Sequence, residues 1–463
     1  MTCIRSKRHK RCRSPKDCEY GLPYTEVVEG GKRRSTCENL EWSFSSLYFP
    51  LRNDVIHSGV LKRAPFLLKF VPSLLNLPSY YAPVEENVVE KISLDTLVIG
   101  GGVSGLSALE GLSNSIVVAM DLNDQVFFDP LADGSLIKKL KEIAKSSWEK
   151  VIKGVVLGRF EEGIVIKTGN KLLVVNAKKV IVSNGGRYIP PIFKGNDLPG
   201  IISRNLYLRL RSKLKRVIVV GSSDDALRTA MVSGGKLLVK KGTESFSKFW
   251  SERAEEMGVE VIQVDTLQLK RKGKKLVVYS DGINEEVDAV VFAVIKQPRI
   301  ELMSNIGVRY KFYSFSHVYL PEHDYAGLAD HEIAVAGGSR GISDYEVSFL
   351  SSKALLDDRY LDQLKSGLKE RETHLLNFYS GAWESRNSPY LFSYGGYVCE
   401  CEDVTFHDLE KARLRGYKSV EEVKRVTGLS TGSCQGKICT YLAGSYLKSD
   451  ELITFRSPLY PMW

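Results

Sequence analysis

An α/β fold with an open, mostly parallel sheet is what this sequence predicts, and three observations carry it. Apolar runs of strand length alternate with helical patterns from about residue 93 to 375. A glycine loop of the form G-x-G-x-x-G stands directly after one such run and opens a helical pattern. The order strand, turn, helix, strand then recurs in "KRVIVVGSSDDALRTAMVSGGKLLVKK". The chain has 463 residues, room for roughly two to four domains.

Taken from the start, the first segment is a basic arm. "IRSKRHKRCR" carries much of the net charge of +10, and no nucleic-acid-binding signature accompanies it, so a solvated arm is expected rather than a nucleic-acid surface. It is followed by polar residues, which does not fit a signal peptide. "FLLKFVPSLLNLP" is broken by Lys69 and two prolines and is too short to span a bilayer. A cytoplasmic protein without a transmembrane segment is therefore expected, in which eight cysteines serve as ligands or free thiols rather than disulfides. "DTLVIGGGVSGLSALEGL" reads as strand, turn and helix, and "SIVVAMD" as the next buried strand. "KGVVLGRFEEGIVIKTGNKLLVVNAKKVIVSNGG" reads as several strands with "TGN" as a hairpin turn. "EVDAVVFAV" and "HEIAVAGG" are further short buried strands.

The first glycine loop consists of Gly100, Gly102 and Gly105. The first glycine permits a tight turn, the second lets backbone approach a pyrophosphate, and the third lets helix pack on strand. The helix N-terminus then offers amide groups to the phosphates. An acid about 20 residues on is expected to meet ribose hydroxyls, and Asp121 stands there. This context predicts dinucleotide binding and leaves FAD and NAD open. In the second loop, "RVIVVGSSDDALRTA", only Gly221 remains, with Ser223 and Ala226 at the other glycine positions. Ser223 would crowd a pyrophosphate and Asp224 and Asp225 would repel one, so a degenerate nucleotide domain is expected.

Four cysteines close the sequence as two pairs, Cys399/Cys401 and Cys434/Cys439, separated by 32 residues. Thiolates in fours are the usual ligands of a [2Fe–2S] cluster. Zinc also takes paired cysteines, although its knuckles favour C-x2-C over C-x-C. An empty or disulfide-bonded set is the third reading. "DVTFHDLEKARLRGYKSVEEVKRVTG" between the pairs suits two short helices, with Thr405 as a cap for the first and Ser419 with Glu422 as a capping box for the second. Gly432 and Gly436 flank Cys434 and allow a tight backbone around it, and His407 is expected on a helix surface.

From about residue 55 onward the chain resembles the α-type FAD/[2Fe–2S] subunits of heteromeric amino-acid and amine dehydrogenases. That family includes sarcosine oxidase α, opine oxidase A, the hydrogen cyanide synthase flavoprotein and dye-linked L-proline dehydrogenase α subunits. The residues that carry the resemblance are "LVIGGGVSGLSAL", "FKGNDLPGI", "EIAVAGGSRGI" and "CECEDVT…GYKSVEEVKRVTGLSTGSCQGKIC". It implies a Rossmann-like flavoprotein with two dinucleotide-binding domains and a small C-terminal α-helical [2Fe–2S] domain. FAD is implied at Gly100, Gly102, Gly105 and Asp121, with Gly185 in the turn Ser183-Asn184-Gly185 and Gly337 in the second FAD segment. Gly338 stands where the family has an aspartate. The cluster ligands implied are Cys399, Cys401, Cys434 and Cys439.

The resemblance further implies a second, dehydrogenase-like flavoprotein subunit as partner, an acceptor protein or quinone, and allows FMN at a subunit interface. No catalytic acid–base pair stands out. The expected division is a basic extension with a vestigial ferredoxin-like segment (1–92), FAD-binding parts at 93–206 and 301–380, the degenerate nucleotide domain at 207–300, the cluster domain at 395–445 and a tail at 446–463. Cys3, Cys12, Cys18 and Cys37 only partly follow the ferredoxin-like spacing, and a second cluster there is the alternative. The alternatives for the whole chain are a stand-alone NAD(P)H:acceptor reductase and a non-enzymatic assembly subunit.

Overall fold

The computed structural model describes residues 26–29, 32–35, 66 and 88–460, except 121, 123, 124, 170, 199, 273, 274, 382 and 433. The four N-terminal cysteines lie outside the described residues, as does Asp121. Residues Glu26–Glu29 and Lys32–Ser35 pair as an antiparallel hairpin. Among the described residues no helix is long and apolar enough to cross a membrane.

The first sheet grows from β1 (Val88–Ile99), which leads into α1 (Val103–Leu109) and β2 (Ser115–Ala119). The first part of β1 alternates in burial, and its last four residues, Leu97 among them, are all buried. That switch marks where the strand passes from a half-exposed to a doubly covered position. β1 pairs in parallel with β2, Leu97 opposite Ile116. On its other side it pairs in parallel with β4 (Lys171–Val182), from Val88 opposite Lys171 to Ile99 opposite Val182. The second edge of β4 is shared. Its start pairs antiparallel with β3 (Gly163–Thr168), across the hairpin expected at "TGN". Its end pairs in parallel with Ile333–Val335, so "HEIAVAGG" returns to the first sheet after the second has been built.

The second sheet is five-stranded and wholly parallel. Its order is Ile201–Ser203, Ala289–Phe292, β5 (Val217–Val220), Leu237–Lys240, Val261–Val264. β5 runs into α2 (Asp224–Ser233), which ends on Gly234 with φ +62. The two sheets are joined by a cluster of four charges, each at most 3% exposed. Asp129 accepts from Arg204, from Arg228 (2.9 Å) and from Tyr345 Oη (3.0 Å). Asp225 accepts from Arg228 (3.2 Å) and from Tyr188 Oη (2.6 Å). Burial alone pushes the Asp129 carboxyl up, but the two guanidinium groups outweigh it and hold the group well below the usual carboxylate range.

The C-terminal region carries α3 (Phe406–Leu414), α4 (Val420–Thr427) and α5 (Cys439–Leu447). The two expected short helices both form. Thr405 caps α3, and Asp408 completes a capping box there; Ser419 and Glu422 make the box of α4. α5 lies on the hairpin Tyr310–Tyr313/Val318–Pro321. At Gly444 the approach is so close that a Cβ would stand 2.1 Å from Tyr319 Oη. The chain then runs back as an irregular strap whose Leu452, Ile453, Phe455 and Leu459 are buried, and Leu459 N donates to Leu157 O (2.7 Å).

Candidate functional site

Three turns meet at the carboxyl ends of three neighbouring parallel strands, which end at Ile99, Val182 and Val335. This is where open α/β sheets bind ligands. Gly100 has φ +114, and a Cβ there would lie 2.2 Å from Ser183 O. A Cβ at Gly105 would lie 1.8 Å from Gly100 O. The first and third glycines therefore do what the fingerprint requires, turning the chain and seating α1 against the strand. Gly102 is the N-cap of α1 and uses no side chain to cap it. Ser183 Oγ donates to Ile99 O and Gly100 O (3.1 Å each), tying the second turn to the first.

The third turn closes on both. Gly337 has φ +58, and its Cβ would meet Ser104 Oγ at 2.4 Å. A Cβ at Gly338 would stand 3.1 Å from Gly185 Cα. Ser339 Oγ donates to Asn184 Oδ1 (2.8 Å) and accepts from Gly185 N (3.1 Å). So Gly338, at the position where the resemblance implies an aspartate, is crowded by the 183–186 turn, and glycine is what lets the two turns touch. The cradle fits a dinucleotide through backbone groups. It brings together Gly100, Gly102, Gly105, Gly185 and Gly337.

The second glycine loop is built differently. Gly221 is required, since its Cβ would lie 2.4 Å from Ala293 O. Asp224 and Asp225 open α2 and are both buried. Asp225 is engaged by Arg228, Arg204 and Tyr188. Asp224 Oδ1 accepts from Ser247 N (2.8 Å), and burial raises its carboxyl to about 7. The first turn of the helix that would meet a pyrophosphate thus carries two buried carboxyl groups.

Cys399, Cys401, Cys434 and Cys439 line one cavity with Pro190, Val398, Ile438 and Leu442. Cys399, Cys434 and Cys439 are at most 2% exposed, while Cys401 is partly exposed. The four thiols ring the cavity, and Cys401 and Cys439 each neighbour both Cys399 and Cys434. Hydrogen bonds from Cys401 and Cys439 pull the Cys399 thiol down to about 4 and hold that of Cys434 well below its ordinary value. The donors Cys401 and Cys439 are pushed up correspondingly.

Local geometry holds the ring. A Cβ at Gly432 would overlap Cys401 Cβ at 2.2 Å, and Gly436 has φ +77 with Ile453 pressed against it. Ser430 Oγ lies 3.3 Å from Cys439 Sγ, and Cys439 is the first residue of α5. An all-thiol set from two loops around one cavity fits a [2Fe–2S] cluster. Among the described residues no group of three or more His, Cys, Asp or Glu is arranged to hold a single metal ion. His407 is exposed on α3, as expected.

The sequence reading missed what links the two sites. Arg187 and Glu301 pair inside the protein at 0% and 1% side-chain exposure. Arg187 Nη1 donates to Lys437 O (2.6 Å), between the last two cysteines. Glu301 Oε2 accepts from Tyr441 Oη (2.9 Å) on α5. The segment from Gly185 to Pro190 therefore starts at the glycine cradle and ends at the cysteine cavity. Five residue steps bound that span at about 18 Å. The available signal was Arg187 within "NGGRYIPP" and Glu301, flanked by Ile300 and Leu302, within "PRIELM".

The comparisons agree with this picture. Residues 397–449 match the BFD-like [2Fe-2S] binding domain family. The hydrogen cyanide synthase subunit HcnB of Pseudomonas protegens is 22% identical over 156 residues, 31% of this chain and 33% of that protein. The chain thus spans about a third of the length of the curated relative it matches. The crystal structure of L-proline dehydrogenase from P. horikoshii superposes with a TM-score of 0.59 at 21% identity, covering 83% of this chain and 81% of the other. FMN finds no support in these likenesses. Residues 397–449 thus form a BFD-like [2Fe-2S] binding domain, carried on a mixed α/β chain that shares its fold with the L-proline dehydrogenase of P. horikoshii.

Proposed function

We propose that this chain is the electron-relaying FAD/[2Fe–2S] subunit of a heteromeric amino-acid or amine dehydrogenase. The observation that carries the reading is the short bridge from Gly185 to Pro190, which joins the glycine cradle to a cavity lined by four cysteines. In this reading Gly100, Gly102, Gly105, Gly185 and Gly337 border FAD, with Asp121 as the ribose acid. Cys399, Cys401, Cys434 and Cys439 ligate the cluster. When bound, FAD supplies two-electron chemistry and the cluster one-electron transfer.

The chain's own part is to hold both groups, keep water from three of the four thiols and present Cys401 toward solvent. The partner in this proposal is a second flavoprotein subunit that dehydrogenates an amino acid or N-alkyl amino acid. Electrons leave to an acceptor protein or quinone. The buried acids that open α2 speak against NAD(P)H as the electron source.

The test is the visible and paramagnetic-resonance spectrum of the purified chain, with iron and sulfide analysis. Flavin bands together with about two irons and two sulfides per chain are expected, and Cys434→Ser or Cys439→Ser should remove the iron but leave the flavin. Dye reduction by sarcosine, proline and opines should require co-expression with the partner subunit. A chain that holds neither group, or that alone oxidises these substrates, would overturn the proposal.

A further inference from the structure

The loop between Cys434 and Cys439 contains a lysine that is 1% exposed. Lys437 Nζ donates to Leu459 O (2.7 Å), Gln435 Oε1 (3.1 Å) and Cys434 O (3.3 Å), and it lies over the Tyr460 ring at 4.7 Å from the centroid. Three of these partners are neutral acceptors and the fourth is a ring face; none is a carboxylate. A buried ammonium so placed costs free energy that solvation would have saved, unless some other charge profits from it. Glu301, also 1% exposed, interacts electrostatically with Lys437, but its carboxylate is engaged by Arg187 and Tyr441 rather than by Lys437.

Arg187 in turn donates to the Lys437 carbonyl, so acid, guanidinium and ammonium are fixed in one network behind the ligand loop. Its three charged groups are each at most 1% exposed. Charges so deeply buried act on a neighbouring group with little screening.

We propose that Lys437 and Glu301 set the reduction potential of the cluster through fixed charges of opposite sign. Lys437 favours the reduced cluster and Glu301 opposes it. One electron is taken up on reduction, which makes the cluster more negative by one unit. A nearby cation stabilises that added charge and a nearby anion destabilises it. Both are positioning residues that act on the cluster without ligating it. The inference rests on the [2Fe–2S] reading of the four cysteines.

The experiment is a paramagnetic-resonance-monitored redox titration of the purified chain and three variants, with iron analysis of each. Lys437→Gln should shift the one-electron equilibrium toward the oxidised cluster by about tenfold, a fall of about 59 mV. Glu301→Gln should shift it the opposite way by a similar factor. Lys437→Arg should keep the wild-type potential. Loss of packing alone would move the two charge-removing variants in the same direction, so opposite signs are the discriminating result. Shifts of the same sign, shifts below twofold in variants with full iron, or loss of iron from all three variants would overturn the inference. A wild-type chain without iron would instead overturn the cluster reading itself.

Discussion

Gly432→Ala puts a single methyl group where the ligand loops touch. Its Cβ would stand 2.2 Å from Cys401 Cβ, 2.9 Å from Glu402 Oε1 and 3.3 Å from Cys401 Sγ. Carbon atoms settle at about 3.5–4.0 Å, so the Cys401 backbone must retreat by about 1.3 Å or more. The obstacle is a Cβ fixed to the main chain, not the end of a flexible side chain. Overpacking of this kind costs about 1–3 kcal/mol, which is about 5–150-fold in the folding equilibrium. The retreat also moves one ligand of four. Iron per chain should fall well below wild type, and the urea midpoint of the iron-free protein should drop. Gly134→Ala is the control, because Gly134 starts a helix and a Cβ there meets nothing within 4 Å. It should be neutral or stabilising by up to about 1 kcal/mol. Full iron and an unchanged midpoint in Gly432→Ala would refute the argument that this glycine is demanded by close approach.

Three further outcomes are expected. Asp225→Asn leaves two buried guanidinium groups with one carboxylate and should destabilise the protein by about 3–5 kcal/mol, read by denaturant unfolding. Asp224, raised by burial to about 7, contributes stability that is complete below its ordinary pKa and is lost as pH rises through about 7. Asp224→Asn should therefore flatten the decline of stability between about pH 4 and 7, and an unchanged pH profile would refute the assignment; Glu372, which burial holds well above its ordinary range, faces Asp224 and is left to titrate in the variant. NADH and NADPH should not bleach bound flavin under anaerobic stopped-flow conditions, and rapid bleaching would show that the carboxyl groups of α2 do not block a nucleotide.

What could be read from the sequence was local. The capping boxes of Thr405 and Ser419 and the turn role of Gly100 depend on residues a few positions apart, and each appears where expected. The cysteine pairs were legible for the same reason, since each pair sits on one loop. The buried ion pairs were not legible. Arg187 and Glu301 are 114 positions apart, and Arg204 and Asp129 are 75 apart. Nothing in either neighbourhood marks a partner, because only long-range pairing brings them together, for Arg187 and Glu301 the pairing of Gly186–Tyr188 with Lys296–Pro298. The crowding of Gly338 was also invisible, since it depends on where the 183–186 turn ends.

The shared edge of β4 has a consequence for how the chain is made. Residues 201–292 contain every strand of the second sheet, so that sheet is complete in one continuous stretch as the chain leaves the ribosome. The first sheet must wait, because the partner of Val180–Val182 is Ile333–Val335. During that interval a row of apolar β4 residues offers unpaired backbone groups at an open edge. The nascent chain is then most prone to pair with a neighbour, and a product that stops short of residue 333 never leaves that state. Gene fragments designed around the cradle should therefore carry the returning strand, which begins at Ile333, although β4 ends at Val182.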